Sequence, residues 1–183
     1  HQSCALSREL TDGLKALSRK QGVTLFMTVL AAFQVLLHRY TGQDDIAVGS
    51  PLAGRHRSDV EALIGFFVNT LVLRADLSGN LSFRELLSQV RETTLEAYAH
   101  QDLPFEKLVE ELQPERDLSY SPIFQVMFVL QNEPAVSLRL DGVTTHPVWL
   151  DSEVTKFDLT LFAHEEPEGL RVSWQYNKDL FDD

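Results

Sequence analysis

The chain has 183 residues, 44 % of them apolar and 23 % charged, an ordinary balance for a globular protein with enough length to bury a core. Its net charge of −11, with no dense run of Lys and Arg, argues against nucleic acid as a partner, because phosphate binding needs a concentrated positive field. No apolar run reaches the roughly 18 residues of a membrane span, and the single cysteine, Cys4, cannot close an internal disulfide, which fits a reducing, cytoplasmic setting.

The chain opens at His1-Gln2 without Met, and we read it as a piece of something longer. Ser7 is placed to cap a first helix in which Leu10, Leu14 and Leu17 recur at helical spacing, and Gly22 sits at its C-terminal end. Thr24 caps a second helix, about Leu25 to Tyr40, that is apolar nearly all round and therefore enclosed. Gly42 ends it, and Ile46 to Pro51 is a short strand entering a loop. That loop holds Arg55, His56 and Arg57, the densest basic spot in the chain, read as solvated, with contact to an anionic ligand as the alternative.

Ile64-Gly65-Phe66-Phe67-Val68-Asn69-Thr70-Leu71-Val72-Leu73-Arg74 reads as an extended segment with both faces apolar, the pattern of a strand buried on both sides. Asn69 and Arg74 interrupt it. A buried amide without a partner costs about 1–3 kcal/mol, so Asn69 is expected to bond within the sheet and Arg74 to be solvated where the strand meets solvent.

Ser82-Phe83-Arg84-Glu85 is a capping box, and Phe83, Leu86, Leu87, Val90, Thr94, Ala97 and Tyr98 trace one face of the long helix it opens. His100-Gln101-Asp102-Leu103-Pro104-Phe105-Glu106 follows as a junction to a second helix carrying Leu108, Val109 and Leu112. His100 and Asp102 are read as capping and packing residues, since no third ligand is spaced to complete a metal site. Pro114 breaks the helix, Arg116 to Pro122 is a polar loop, and Ile123 to Leu130 is another doubly apolar strand. Val143 to Leu150 reads as an edge strand because Pro147 cannot donate to a ladder. Phe157 to His164 and Leu170 to Tyr176 alternate as a hairpin with one polar face, and Asn177 to Asp183 reads as the entrance of a helix cut short. Helices mixed with doubly apolar strands indicate an α/β layered fold.

Three stretches together carry a recognisable pattern: Ile64 to Thr70 with Arg74, His100 to Glu106, and Arg116-Asp117-Leu118-Ser119 with Pro122. They resemble, in order and separation, the three C-terminal signature motifs of condensation domains of nonribosomal peptide synthetases. The similarity covers nearly the whole chain, including the Thr24-Leu25-Phe26 helix and the Lys156-Phe157-Asp158-Leu159 strand. The Phe-Val-Asn-Thr form resembles peptide-bond-forming domains that accept an L-configured donor, whereas at Tyr120 the family more often has Arg.

The resemblance implies a chloramphenicol acetyltransferase-like α/β fold, a two-layer sandwich with a mixed sheet packed by helices. Residues 1–183 would be the C-terminal lobe of a two-lobed domain, with the N-terminal lobe absent and the last helix truncated. Phosphopantetheine arms of donor and acceptor carrier proteins enter such a domain from opposite ends of a tunnel between the lobes. The acceptor amine attacks the donor thioester with help from the second His of a His-His-x-x-x-Asp-Gly motif. None of the six histidines here is next to another, so the resemblance implies no catalytic residue and no metal in this chain, and no activity alone. It places Asn69, Thr70 and Arg74 on the tunnel wall, with Asn69 as the polar contact to substrate and Arg74 paired with a carboxylate across the lobe junction. Gly65, Phe67, Gln101, Asp102, Pro104, Arg116, Asp117 and Ser119 would support that wall. The implied partners are the missing lobe, both carrier proteins and an adjacent adenylation domain, and the uncovered apolar face predicts self-association. Two other readings stand beside this one: a noncatalytic module gripping carrier proteins through Arg55 to Arg57, and part of a free-standing acyltransferase that uses coenzyme A.

Overall fold

A computed structural model describes residues 2–55, 58–61, 63–115, 120–131, 142–143 and 154–181. Its elements are β1 (Gln2–Ser7), α1 (Arg8–Gln21), α2 (Leu25–Thr41), β2 (Asp45–Leu52), the single turn α3 (Ser58–Glu61), β3 (Asn69–Asp76), α4 (Phe83–Ala99), α5 (Phe105–Leu112), β4 (Val126–Gln131), β5 (Leu159–Glu166) and β6 (Gly169–Tyr176). The strands form one six-stranded mixed sheet in the order β1-β6-β5-β4-β2-β3. β4 runs parallel to β2 and β5, and the other neighbours are antiparallel. No single described helix is long and apolar enough to cross a membrane.

The predicted ends of α1, α2 and α4 hold, whereas at α5 Pro104 itself is the N-cap. The Ser7 side chain accepts from Leu10 N, Gly22 closes α1 at φ 67°, and the Ser82–Glu85 box opens α4. On α1 the fully buried positions are Thr11 and Ser18, with the leucines flanking them. The Ser18 and Thr28 hydroxyls lie 2.7 Å apart, so the buried α1–α2 contact is hydrogen-bonded as well as apolar. α2 buries Met27 to Ala31, Phe33 and Gln34 but leaves Ala32 and Tyr40 exposed, so it is not enclosed all round as predicted, and Leu30 and Phe128 at its contact with the sheet have no exposed surface. Phe33 closes the other side of this core against the Trp174 ring at 5.6 Å.

In β2, Ile46 and Val48 point into that helix-covered core, whereas Gly49 next to Val48 points to the opposite face. That opposite face carries a separate aromatic row, in which Phe124 stacks on Phe105 and on Phe157 with centroids 5.4 Å apart in each pair. A side chain on Gly49 would collide with the Phe124 ring.

The segment predicted to be buried on both sides departs from expectation. Extended structure begins only at Asn69, and β3 is the edge strand, paired with β2 alone. Leu71, Leu73 and Ala75 enter the core while Arg74 and Asp76 face water, so one face is buried and the other open. Before the strand, Ile64 is fully exposed and Phe66 is 89 % exposed. Ile123 to Leu130 also differs: β4 starts at Val126, and Ile123 has φ 71°, a strained left-handed conformation for a β-branched residue. Two elements were not predicted. β1 is nearly all exposed and short, with no hydrophobic run to announce it, and α3 is one isolated turn. Asn177 caps a turn over residues 178–180, accepting from Leu180 and Phe181 on its carbonyl. Apart from Val143, the predicted edge strand Val143 to Leu150 lies outside the described residues, as do Arg116, Asp117 and Ser119.

Candidate functional site

Between β2 and β3 the chain makes a loop whose shape is set by one side chain. The Arg55 guanidinium donates to the carbonyls of Val60 (2.9 Å), Glu61 (3.3 Å), Leu63 (2.6 Å) and Gly65 (3.2 Å). It also lies 4.6 Å from the centroid of the Phe67 ring, a cation–π contact. Gly54 immediately before it has φ 67°, and a Cβ there would run into the Phe67 carbonyl oxygen. These interactions fold the Ile64 to Val68 stretch out of the sheet, the physical reason that it is not strand. They also revise the reading of Arg55 as part of a solvated or anion-binding spot: its donors are engaged by backbone carbonyls. His56 and Arg57 lie outside the described residues.

Asn69, at the first position of β3, reaches the turn between α4 and α5. Its Nδ2 donates to the carbonyls of Gln101 (2.8 Å) and Leu103 (2.7 Å). Its Oδ1 accepts from the backbone N–H of Phe105 (3.1 Å) and of Thr70 (2.9 Å). Two donors and two acceptor sites are the full capacity of a side-chain amide. The expected bonding within the sheet is therefore only the Thr70 contact, and all four hydrogen-bonding positions of the amide are engaged within the chain.

The outcome of the two clamps is an open groove of about 350 Å³. Its walls are Phe66 to Thr70 on one side and Gln101, Asp102, Pro104, Phe105 and Glu106 on the other, with Gly54 at the end. Predicted residues Phe67, Asn69, Thr70, Gln101, Asp102 and Pro104 are thus brought together, although 32 residues separate Asn69 from Gln101. Gly65 stands just outside, its carbonyl held by Arg55. Reading the sequence missed Gly54, Phe66, Val68, Phe105 and Glu106 as lining residues and Arg55 as the organiser of the loop. The adjacent Gly54-Arg55 was the available signal there, a left-handed turn residue beside a multidentate donor.

Arg74 is separate from the groove. It makes a bidentate pair with Asp45, Nε to Oδ1 at 2.6 Å and Nη2 to Oδ2 at 2.7 Å, and its side chain is 72 % exposed. The Arg74 hydrogen bonds hold the Asp45 carboxyl below its ordinary range. It is solvated at the strand end, as its position in the sequence indicated, and its carboxylate partner belongs to this chain. Asp76 is likewise lowered, by its hydrogen bonds from Ser78. Among the described residues no group of three His, Cys, Asp or Glu side chains could hold a metal ion.

Comparison with known proteins decides the family at this point, because the sequence model described as Condensation domain matches residues 1–183. The chain belongs to the condensation-domain family. It is 60 % identical over 179 residues to a linear gramicidin synthase from Brevibacillus parabrevis, and 50 % identical over 183 residues to a chondramide synthase from Chondromyces crocatus. These alignments cover 97 % and 100 % of the chain but only 2 % and 5 % of the two synthases. Among solved structures, a four-domain nonribosomal peptide synthetase bound to AMP and glycine superposes with a TM-score of 0.90 at 25 % identity, covering 99 % of this chain and 15 % of that one. The X-domain from teicoplanin biosynthesis also gives 0.90, at 29 % identity, with 99 % of this chain on 42 % of it. The mixed sheet packed by helices is therefore the chloramphenicol acetyltransferase-like architecture of condensation domains.

Proposed function

We propose that this condensation-domain polypeptide is the C-terminal lobe of a complete domain and supplies one wall of the tunnel in which two carrier-bound aminoacyl groups are joined by a peptide bond. The observation that carries this reading is the groove itself, in which residues from two separate signature motifs form opposite walls around Asn69. The groove's lining mixes aromatic rings with the Thr70 hydroxyl and the Glu106 carboxylate, a surface suited to a phosphopantetheine arm that alternates alkyl and amide groups. The coverage of 42 % of the X-domain chain supports an assignment to one lobe of two.

Peptide-bond formation needs a group within hydrogen-bond reach of the attacking amine, and much of its rate comes from holding both reactants in place. An open groove with no adjacent pair of histidines in the sequence offers only the second, and only in part. The N-terminal lobe would supply the base and close the tunnel, with donor and acceptor carrier proteins and an adenylation domain as the further partners. Ile64 and Phe66, apolar and exposed on a loop made firm by Arg55, are suited to lie against that lobe. Arg74 stands on the open side of the sheet, where it could pair across the junction in exchange for Asp45.

The test is a condensation assay with loaded donor and acceptor carrier proteins. The chain alone is expected to give no dipeptidyl product, and to give it when the preceding lobe is supplied in the same polypeptide. Product from the chain alone would overturn the reading. The engagement of Arg55 by four backbone carbonyls leaves fewer of its donors for a module that grips carrier proteins through Arg55 to Arg57.

A further inference from the structure

We propose that Asn69 is a positioning residue: it acts on the reaction through the α4–α5 turn, setting the distance between the two walls of the groove, and does not touch substrate. This rests on the reading of the groove as a reaction site. The amide is completely occupied. Both N–H groups of Nδ2 and both acceptor positions of Oδ1 are used within the chain, at 2.7 to 3.1 Å. A substrate could engage it only by displacing one of these bonds.

The partners explain what the amide holds. Gln101 and Leu103 present carbonyls that α4 has left behind, just beyond its end at Ala99, and the N–H of Phe105 belongs to the first residue of α5. The first N–H groups of a helix have no intrahelical acceptor. Pro104 stands at the N-cap of α5 with no side-chain cap hydrogen bond, so the task usually done by Ser, Asp or Asn at that position falls to Asn69 from a distant strand. One amide therefore holds the turn that follows α4, starts α5 and anchors both to the first residue of β3. The turn contributes Gln101, Asp102 and Pro104 to the groove, and the strand side contributes Val68 and Thr70. The clasp spans these two walls, so their separation follows the lengths of its bonds.

Phe105 adds a second link. Its ring begins the row that continues through Phe124 to Phe157, so a turn released from Asn69 also loosens the packing on the face opposite the helices. The groove wall is thus held from below by aromatic stacking and from the side by the Asn69 amide.

Hydrogen exchange and kinetics test the proposal together. In the 183-residue chain without substrate, Asn69→Ala is expected to speed exchange of the Phe105 amide about 10-fold, the loss of roughly one hydrogen bond, while the Val48 and Leu73 amides in the sheet stay unchanged. Asn69→Asp keeps both acceptor bonds, so Phe105 stays protected, but its carboxylate cannot donate and faces the Gln101 and Leu103 carbonyls. In the full-length synthetase both variants are expected to lose about 10-fold or more in kcat with little change in KM for the carrier proteins. The Asn69→Asp enzyme should also regain activity relative to wild type as the pH is lowered and its carboxyl group becomes a donor. General destabilisation would not give that pH profile. Unchanged exchange at Phe105 in Asn69→Ala, with activity lost, would make Asn69 a substrate contact and overturn the proposal. An opened turn with undiminished condensation would overturn it equally. If wild-type synthetase forms no amide bond, the functional reading fails, and the exchange measurement still decides whether the clasp exists.

Discussion

Replacing Gly49 by alanine tests whether the aromatic row behind the groove is as tightly placed as the structure shows. An added Cβ would sit 2.7 Å from Phe124 Cδ2, and nearer still to Cε2 and Cζ, where carbon atoms need about 3.5–4.0 Å. The ring cannot simply swing away: Phe124 is 2 % exposed and is flanked by Phe105 and Phe157, each 5.4 Å between centroids. Overpacking of this kind costs about 1–3 kcal/mol. The gain from removing a strand glycine, about 0.5–1 kcal/mol, offsets part of it. The net expectation is a loss of roughly 1 kcal/mol and at most about 2.5 kcal/mol, the central value being a fall in Tm of about 2–4 °C for a domain of this size. Thermal and urea unfolding of the single variants and of Gly49→Ala/Phe124→Leu would measure it. The smaller side chain should accept the methyl group, so the double variant is expected to be more stable than the sum of the single losses by at least 0.5 kcal/mol or so. A Gly49→Ala protein as stable as wild type, or strictly additive losses, would refute the packing argument.

Two further outcomes are expected. Arg55→Ala removes four carbonyl contacts and the stacking on Phe67, so limited proteolysis should cut within residues 58–68 far faster than in wild type while the far-ultraviolet circular dichroism is kept; a loop as resistant as before would show that other contacts hold it. In acid, Asp45 and Glu166 are held below their ordinary carboxyl values, 3.8 and 4.5, chiefly by hydrogen bonds from Arg74 and Arg171. Because the folded-state values are the lower ones, this stability is present above the unfolded values and is lost as pH falls through the folded ones. Tm should therefore drop as the pH falls below the ordinary carboxyl values, less steeply in Arg74→Ala and Arg171→Ala, and less steeply in high salt because the pairs are exposed. Identical acid limbs in wild type and both variants would contradict this.

What the sequence determined on its own was local. Ser7, Thr24, Ser82, Gly22 and Gly42 marked helix ends because capping depends on one side chain and the few backbone groups beside it. The β5–β6 hairpin was legible for the same reason, with apolar and polar residues alternating, apart from Phe162, on either side of a two-residue turn. The motif stretches at Ile64 to Arg74 and His100 to Glu106 were recognisable as text, without their geometry. Only the tertiary structure decided that β3 is an edge strand, since the apolar pattern before Asn69 fits a buried strand as well as an exposed loop, and the choice falls to Arg55 binding the carbonyls of Val60 to Gly65. It also decided which groups Asn69 bonds. A side-chain amide can serve a substrate or a backbone, and which of these it meets depends on a turn 32 residues further along the chain folding back to within hydrogen-bond distance.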